Sequence, residues 1–248
     1  MRLFATSDLH TDYVENFNWL KGLSDTEYRD DALIVAGDIS ERFGIIRDTL
    51  ALLRAKFRHV FFTPGNHELW IRNEPFDSIE KLRRVLELCD ELDVTTRPLR
   101  LEDVWVVPLF SWYDGVFHSA ESEASARRAW VDFHLCKWPE DAKPLPDYFL
   151  RLNEPHLRSY DAPVITFSHF IPRSDLFPPK QYLKIGWLES VSLCAALDSQ
   201  IRTLNSRTHV CGHTHTTIDR VIDGVRYIQN PVRYPRERTA TSMPIKQI

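Results

Sequence analysis

Seven side chains in this sequence could hold metal ions: Asp8 and His10, Asp38, Asn66, His169, and His213 with His215. They supply carboxylates, an amide oxygen and imidazoles. Mixed nitrogen and oxygen donors suit zinc, manganese or iron, whereas calcium and magnesium favour all-oxygen shells. So many donors exceed the needs of one tetrahedral ion but serve two ions that share a carboxylate. The chemistry expected of such a pair is hydrolysis. Coordination brings the pKa of water from about 15.7 towards about 7, so hydroxide becomes available near neutral pH. The competing reading, a structural zinc site on Cys211, His213 and His215, lacks the second pair of ligands such sites require.

Each group follows an apolar run of strand type. Leu3–Thr6 leads into Asp8 and His10, Ala32–Ala36 into Gly37-Asp38, and Val60–Thr63 into Gly65-Asn66-His67-Glu68. Val164–Phe167 leads into His169, and Thr208–Cys211 into Gly212-His213-Thr214-His215. In open sheets with helical crossovers, ligand sites gather beyond the carboxyl ends of the strands, so these clusters are expected to meet at one edge. Gly37, Gly65 and Gly212 each stand beside a candidate ligand, where a tight turn or a close backbone approach calls for glycine. Helical stripes are read at Ile45, Ile46, Leu50, Leu53 and Phe57, then at Ile79, Leu82, Leu86 and Cys89. A third stripe is read at Leu188, Val191, Leu193, Ala195, Leu197 and Ile201. Beyond about residue 90 the chain turns strand-rich, at Val104–Leu109, Ile218–Ile222 and Val225–Ile228, with Asp223-Gly224 as a hairpin turn. Sheets packed on each other with helices outside would satisfy both halves.

The chain has 248 residues, and residues 1–248 are read as one domain. Residues 110–162 break the rhythm and are read as a cap or lid insertion, with a peripheral packing element as the other reading. Within them Ser119–Lys137 looks helical and carries Trp130 and Phe133, and prolines interrupt the stretch from Pro139 to Pro155. The net charge of −4 gives no whole-molecule basic field, which argues against nucleic acid as a partner. Four scattered cysteines form neither a disulfide framework nor a CxxC pair, which favours a reducing compartment. The first residues lack the apolar stretch of a signal peptide, and no run approaches the roughly 18 apolar residues of a membrane span. A cytoplasmic protein with no membrane partner is the expectation.

The ordered series Asp8-Leu9-His10, Gly37-Asp38, Gly65-Asn66-His67-Glu68, His169 and Gly212-His213-Thr214-His215 resembles the motif set of the calcineurin-like metallophosphoesterases. The resemblance runs from residue 8 to residue 215. It implies an α/β fold, a four-layer α/β/β/α sandwich of two mixed β-sheets flanked by helices. It also implies two divalent or trivalent ions, Mn, Fe or Zn. By that resemblance Asp8, His10, Asp38 and His215 would hold one ion, and Asp38, Asn66, His169 and His213 the other, with Asp38 as the bridge. A hydroxide shared between the ions would attack phosphorus in line. His67 would face the phosphate and protonate the leaving oxygen. Family members orient this histidine with a carboxylate three residues after the Gly-Asp aspartate. Here that position is Glu41, followed by Arg42, and the glutamate departs from the usual aspartate. Glu68 is expected to hold the turn.

Arginine forks match phosphate geometry, so Arg42, Arg173 and Arg233 are candidate substrate contacts, against the plainer reading of a solvated face. Trp112 and Tyr113 are placed to stack on a base or an aromatic leaving group, whereas His59 and His209 read as core or edge residues. The expected function is metal-dependent hydrolysis of a small or nucleotide-like phosphate ester, as a phosphodiester or a phosphomonoester. Two alternatives stand beside it. A nuclease of the same family would need a basic groove. A non-catalytic protein-binding module on the same fold would not need a full set of ligands, and none is missing here.

Overall fold

The structure is a computed structural model and describes residues 1–177, 185–238 and 245–248. Strands β1 (Leu3–Thr6), β2 (Ala32–Ala36) and β3 (His59–Thr63) run parallel in one sheet. Helices α1 (Val14–Lys21), α2 (Phe43–Lys56) and α3 (Ser78–Glu91) cross over between and after them. Every residue of β2 is buried, as expected of a parallel strand covered on both faces. Leu33 and Val35 face the helices with Ile46, Leu50, Leu53, Val85, Leu88 and Cys89. Ala32, Ile34 and Ala36 face a second sheet. The apolar stripes of α2 and α3 therefore lie where the 3.6-residue period places them.

The second sheet has the order β4-β5-β6-β7-β9-β8. Strands β5 (Val104–Pro108), β6 (Val164–Phe167), β7 (Ser206–Cys211) and β9 (Val225–Gln229) are parallel. β4 (Leu99–Leu101) and β8 (Ile218–Ile222) pair antiparallel at its two edges. Asp223 and Gly224 both take positive φ, 47° and 83°, as the two-residue hairpin between β8 and β9 demands. β10 (Lys246–Gln247) adds an antiparallel edge to the first sheet, next to β1. Ile34, Phe61, Val106, Phe167, Val210 and Ile228 fill the space between the sheets. Each such side chain contributes about 1.5–3 kcal/mol by leaving water.

The outer face of the second sheet is covered by α7 (Leu197–Thr203) and by the inserted segment. This completes the four-layer α/β/β/α sandwich. The inserted segment carries α4 (Ala120–Ala129), α5 (Asp132–Leu135) and α6 (Leu145–Leu152). Two helical expectations are corrected. The stripe from Leu188 to Ile201 is α-helical only from Leu197, because residues 188–196 form an irregular run with one 3-10 turn, Glu189–Val191, that delivers the Val191 carbonyl to the site. The helix expected over Ser119–Lys137 breaks at Trp130, where the chain turns inward to bury Asp132. Among the described residues no helix is long and apolar enough to cross a membrane.

Candidate metal centre

Because β1, β2, β3, β6, β7 and β9 are mutually parallel within their sheets, the loops at their carboxyl ends emerge at one edge. The two sheets are stitched there. Ser7 N donates to Asn230 O at 3.2 Å, Val232 N to Ser7 O at 2.9 Å, and Arg233 N to Asp8 O at 3.0 Å. Glu68 holds the β2 and β3 loops together. Its buried carboxylate accepts from the backbone N–H of Asp38 (3.0 Å), Ile39 (2.6 Å), Ser40 (3.2 Å) and Gly65 (2.6 Å). Buried Lys81 braces the same loops by donating to Glu41 O at 2.7 Å and to Trp70 O.

The three glycines are needed for room. A Cβ on Gly37 would meet the backbone N of Gly65 at 2.8 Å, one on Gly65 the His169 ring at 2.8 Å, and one on Gly212 the Ala36 carbonyl at 2.8 Å. The ligand residues themselves take left-handed backbone: φ is 51° at Asp8, 42° at His10, 59° at Asp38, 74° at His213 and 54° at His215. Non-glycine residues held there persist only where their surroundings over-determine them, as at functional sites.

The structure brings Asp8, His10, Asp38, Asn66, His169, His213 and His215 together. Asp8, His10 and His215 form one group with one ligand atom from each within 4.8 Å of the others, and Asp38, His169 and His213 form a second. A third comprises His10, Asp38 and His67, so Asp38 belongs to two. Asn66 Oδ1 lies 3.2 Å from His169 Nε2 and 3.1 Å from His213 Nδ1. His10 Nε2 faces His215 Nε2 at 3.0 Å.

The outward nitrogens of three rings fix which inward nitrogens are free. His169 Nδ1 donates to Ala36 O at 2.9 Å, His213 Nε2 to Val191 O at 3.0 Å, and His215 Nδ1 to the Glu237 carboxylate at 2.6 Å. A carbonyl can only accept, so the proton sits on the outer nitrogen and the inner one can offer a lone pair to a cation. Among the described residues His10 Nδ1 is buried without a hydrogen-bond partner. This donor set fits divalent metal ions.

Charge at the site agrees. Burial opposes ionising Asp8, yet the hydrogen bond and charge of His215 hold it down at about 2. Burial likewise opposes ionising Asp38, which His169 and His67 draw well below the usual carboxylate range. Against the same burial, Asp38 lifts His169 to about 9. Asp8 and Glu237 lift His215 to about 10, again against burial. Burial and then the charge of His169 push His213 down to about 3. Two protonated imidazoles thus balance two buried carboxylates, and cations that bind the same nitrogens displace those protons.

His67 stands at the mouth. Its ring lies 3.7 Å from the Trp70 ring, its Nε2 is 3.8 Å from Asp38 Oδ2, and the Tyr234 hydroxyl is 3.4 Å from that nitrogen. Glu41, expected to orient His67, does not. It accepts from Arg72 Nε at 2.6 Å instead. Arg42 is exposed beside Asp12, whose carboxyl is pushed up by burial against the lowering charges of His67 and Arg42.

The structure places the other expected substrate contacts in packing and bracing positions. Trp112 and Tyr113 are 2% and 5% exposed, because the apolar run continues past β5 into the core beneath the inserted segment. Trp112 stacks on Phe149 at 5.6 Å and meets Trp138 edge-on at 4.7 Å. Arg173 is spent on Asp175 (2.7 Å), Asp223 (3.1 Å) and Asp198 (3.4 Å). Arg233 donates to His215 O at 2.7 Å and Thr217 Oγ1 at 2.6 Å, bracing the loop that carries His215.

Three contributors escape the sequence reading. Tyr234 stacks on His10 at 4.3 Å. Glu237 orients His215, and its only signal is a lone acid within a basic stretch. Asp132, an acid set between Trp130 and Phe133, contacts Asn66 at 2.9 Å.

Comparisons with known proteins point the same way. Residues 1–217 match the sequence profile of the calcineurin-like phosphoesterase family. The chain is 33% identical over 269 residues to the acyl-carrier-protein phosphodiesterase PptH of Mycobacterium tuberculosis (strain ATCC 25618 / H37Rv), covering 95% of this chain and 78% of that protein. It is 23% identical to an uncharacterized protein of Acanthamoeba polyphaga mimivirus over 94% of this chain and 91% of the other. The crystal structure of the phosphopantetheinyl hydrolase PptH from Mycobacterium tuberculosis superposes with a TM-score of 0.83 at 29% identity, covering 100% of this chain and 95% of that one. With this fold, these clusters of Asp and His, and a family match over most of its length, the chain belongs to the calcineurin-like phosphoesterases and is a metal-dependent hydrolase of phosphoesters.

Proposed function

We propose that the protein is a phosphodiesterase that removes the phosphopantetheinyl group from an acyl carrier protein. The observation that carries this reading is its likeness to the acyl-carrier-protein phosphodiesterase PptH across 95% of the chain. Asp8, His10, Asp38 and His215 would hold one ion, and Asp38, Asn66, His169 and His213 a second, with Asp38 shared. Manganese, iron and zinc all suit these donors. Such ions supply Lewis-acid activation of water and of phosphoryl oxygens. Asp38 and Asp8 would balance the charge of the ions once His169 and His215 give up their protons, while the carbonyls of Ala36 and Val191 hold His169 and His213 in the metal-binding tautomer.

His67 donates a proton to the oxygen that leaves phosphorus, so the carrier protein recovers its hydroxyl and the phosphopantetheine departs as a monoester. Trp70, packed at a tilt against its ring, and the Tyr234 hydroxyl keep it over Asp38. Arg42, which has no ion pair among the described residues, is the cation we assign to incoming phosphate. Residues 110–162 form the cap of a single domain over 1–248, and the cap takes the part of the substrate beyond the phosphate. The four free cysteines suit the cytoplasm, where thiols stay reduced.

The test is Mn²⁺-supported incubation with holo acyl carrier protein, read by mass spectrometry, beside a chromogenic phosphodiester and its monoester, with Asp38→Asn as the blank. Loss of the phosphopantetheinyl group with wild type alone is the expected result. Turnover of the chromogenic diester without any effect on the carrier protein would overturn the substrate. Turnover confined to the monoester would overturn the diesterase.

A further inference from the structure

Asp132 lies on α5 of the inserted segment and is 2% exposed. Among the described residues no Lys, Arg or His pairs with it. Its oxygens are met by three neutral N–H groups, Asn66 Nδ2 at 2.9 Å and Trp70 Nε1 at 2.6 Å on Oδ1 and Trp130 Nε1 at 2.7 Å on Oδ2, and the Tyr113 hydroxyl interacts with it from the core side. A buried carboxylate without a cation is costly to keep, and apolar replacements of similar size are often as stable. All three donors sit at the metal edge. Asn66 faces His169 and His213, the Trp70 ring lies 3.7 Å from that of His67, and the Trp130 ring lies 5.6 Å from that of His213.

The Asn66 contact sets the direction of its amide. With Nδ2 given to Asp132, Oδ1 must point the other way, toward the imidazole nitrogens of His169 and His213. An anionic acceptor behind an amide N–H also drives electron density onto the amide oxygen, which strengthens it as a ligand. Carboxylates that orient metal ligands commonly matter 10–100-fold, as an order of magnitude, to metal affinity.

We propose that Asp132 is a positioning residue: it aims Asn66 Oδ1 at the ion shared with His169 and His213, and so makes that half of the centre depend on the inserted segment. The proposal rests on the two-ion reading above. It predicts a split between the ions, which a merely structural acid would not produce.

The experiment is calorimetric titration of Mn²⁺ into the full chain for wild type, Asp132→Asn, Asn66→Ala, the double variant and Trp130→Phe, with circular dichroism as the check on folding. Wild type is expected to take two ions. Asp132→Asn is expected to keep one affinity and to weaken the other about 10–100-fold. In the Asn66→Ala background it should add nothing, because its effect passes through Asn66. Trp130→Phe removes one donor to Asp132 without touching Asn66 and is expected to keep both affinities. Unchanged affinities in Asp132→Asn, equal weakening of both ions, or full additivity with Asn66→Ala would each overturn the role of Asp132. Should Asp132→Asn fail to fold, Asp132→Glu, which keeps the charge but displaces the carboxylate from Asn66, takes its place: selective weakening of one ion is the expected result, and unchanged affinities or equal weakening of both would overturn the role. Fewer than two ions on wild type would instead sink the two-ion reading.

Discussion

His169 and His213 are aimed by main-chain carbonyls, those of Ala36 and Val191, while His215 is aimed by a side chain, the carboxylate of Glu237. The difference extends through both halves of the edge. On the His169 side the ligands are buried, and Asn66 is clamped by Asp132. On the Asp8 side His215 is partly exposed, His10 Nδ1 has no hydrogen-bond partner among the described residues, and the surface is closed by Tyr234 from the segment after β9. The Ala36 carbonyl ends β2 and moves only with the sheet, and the Val191 carbonyl is fixed backbone of the 188–196 run, whereas Glu237 reaches His215 by its side chain from a short turn. One half of the centre is therefore aimed by main chain, and the other by a side chain from a surface segment.

Breaking the site without breaking either half is the largest effect expected. His67→Ala should leave Mn²⁺ stoichiometry intact while kcat on a diester falls about 10²–10⁴-fold, the usual worth of a positioned acid. Loss of an ion in this variant would show that His67 belongs to the ligand set.

Loosening one half comes next. Glu237→Ala should weaken the ion on the Asp8 side about 10–100-fold and spare the other, the mirror image of the Asp132 variant. Titration with Mn²⁺ reads this directly, and equal weakening of both ions would erase the contrast between the halves.

The smallest effect concerns the sheet beneath. His209 is fully buried between Thr166 Oγ1 (2.9 Å) and Ser168 Oγ (3.0 Å), and burial pushes it down to about 3. The folded form thus stays neutral where the unfolded chain, with pKa near 6.5, takes up a proton. Stability falls as pH drops below about 6.5, and the slope persists down to about 3. Between pH 6 and pH 5 the loss from this one group is about 1.2 kcal/mol, a ceiling given relaxation of the site. Urea unfolding of His209→Gln should show a shallower acid slope than wild type by up to that amount. Identical slopes would mean that the site alone sets the acid response.

The ligands are legible in the sequence because each belongs to a short local pattern: a strand, a glycine or a sharp turn, then the donor. Sheet and helix order come from the same periodicities. The residues that stay hidden reach the site by tertiary contact alone. Asp132 meets Asn66 from 66 residues away, and Glu237 meets His215 across a hairpin. Trp112 and Tyr113 mislead because a polar neighbour, Asp114, resembles the end of a buried run, although that acid only accepts from Ala195 N at 2.8 Å. Glu41 stands at the expected spacing, but spacing says nothing of Arg72, its actual partner. The irregular run at 188–196 carries helical periodicity because its apolar residues face one core, which periodicity alone cannot tell from a helix.

The left-handed backbone at Asp8, His10, Asp38, His213 and His215 bears on how long the protein lasts in a cell. At about 1 kcal/mol each, such conformations together draw on roughly 5 kcal/mol, comparable to the lower end of the net stability of a whole domain, about 5–15 kcal/mol. Ions that bind only the folded chain restore stability in proportion to the logarithm of their concentration over Kd. Metal starvation should therefore lower the abundance of the enzyme through proteolysis as well as its turnover, and refeeding should restore activity only as fast as new chains are made.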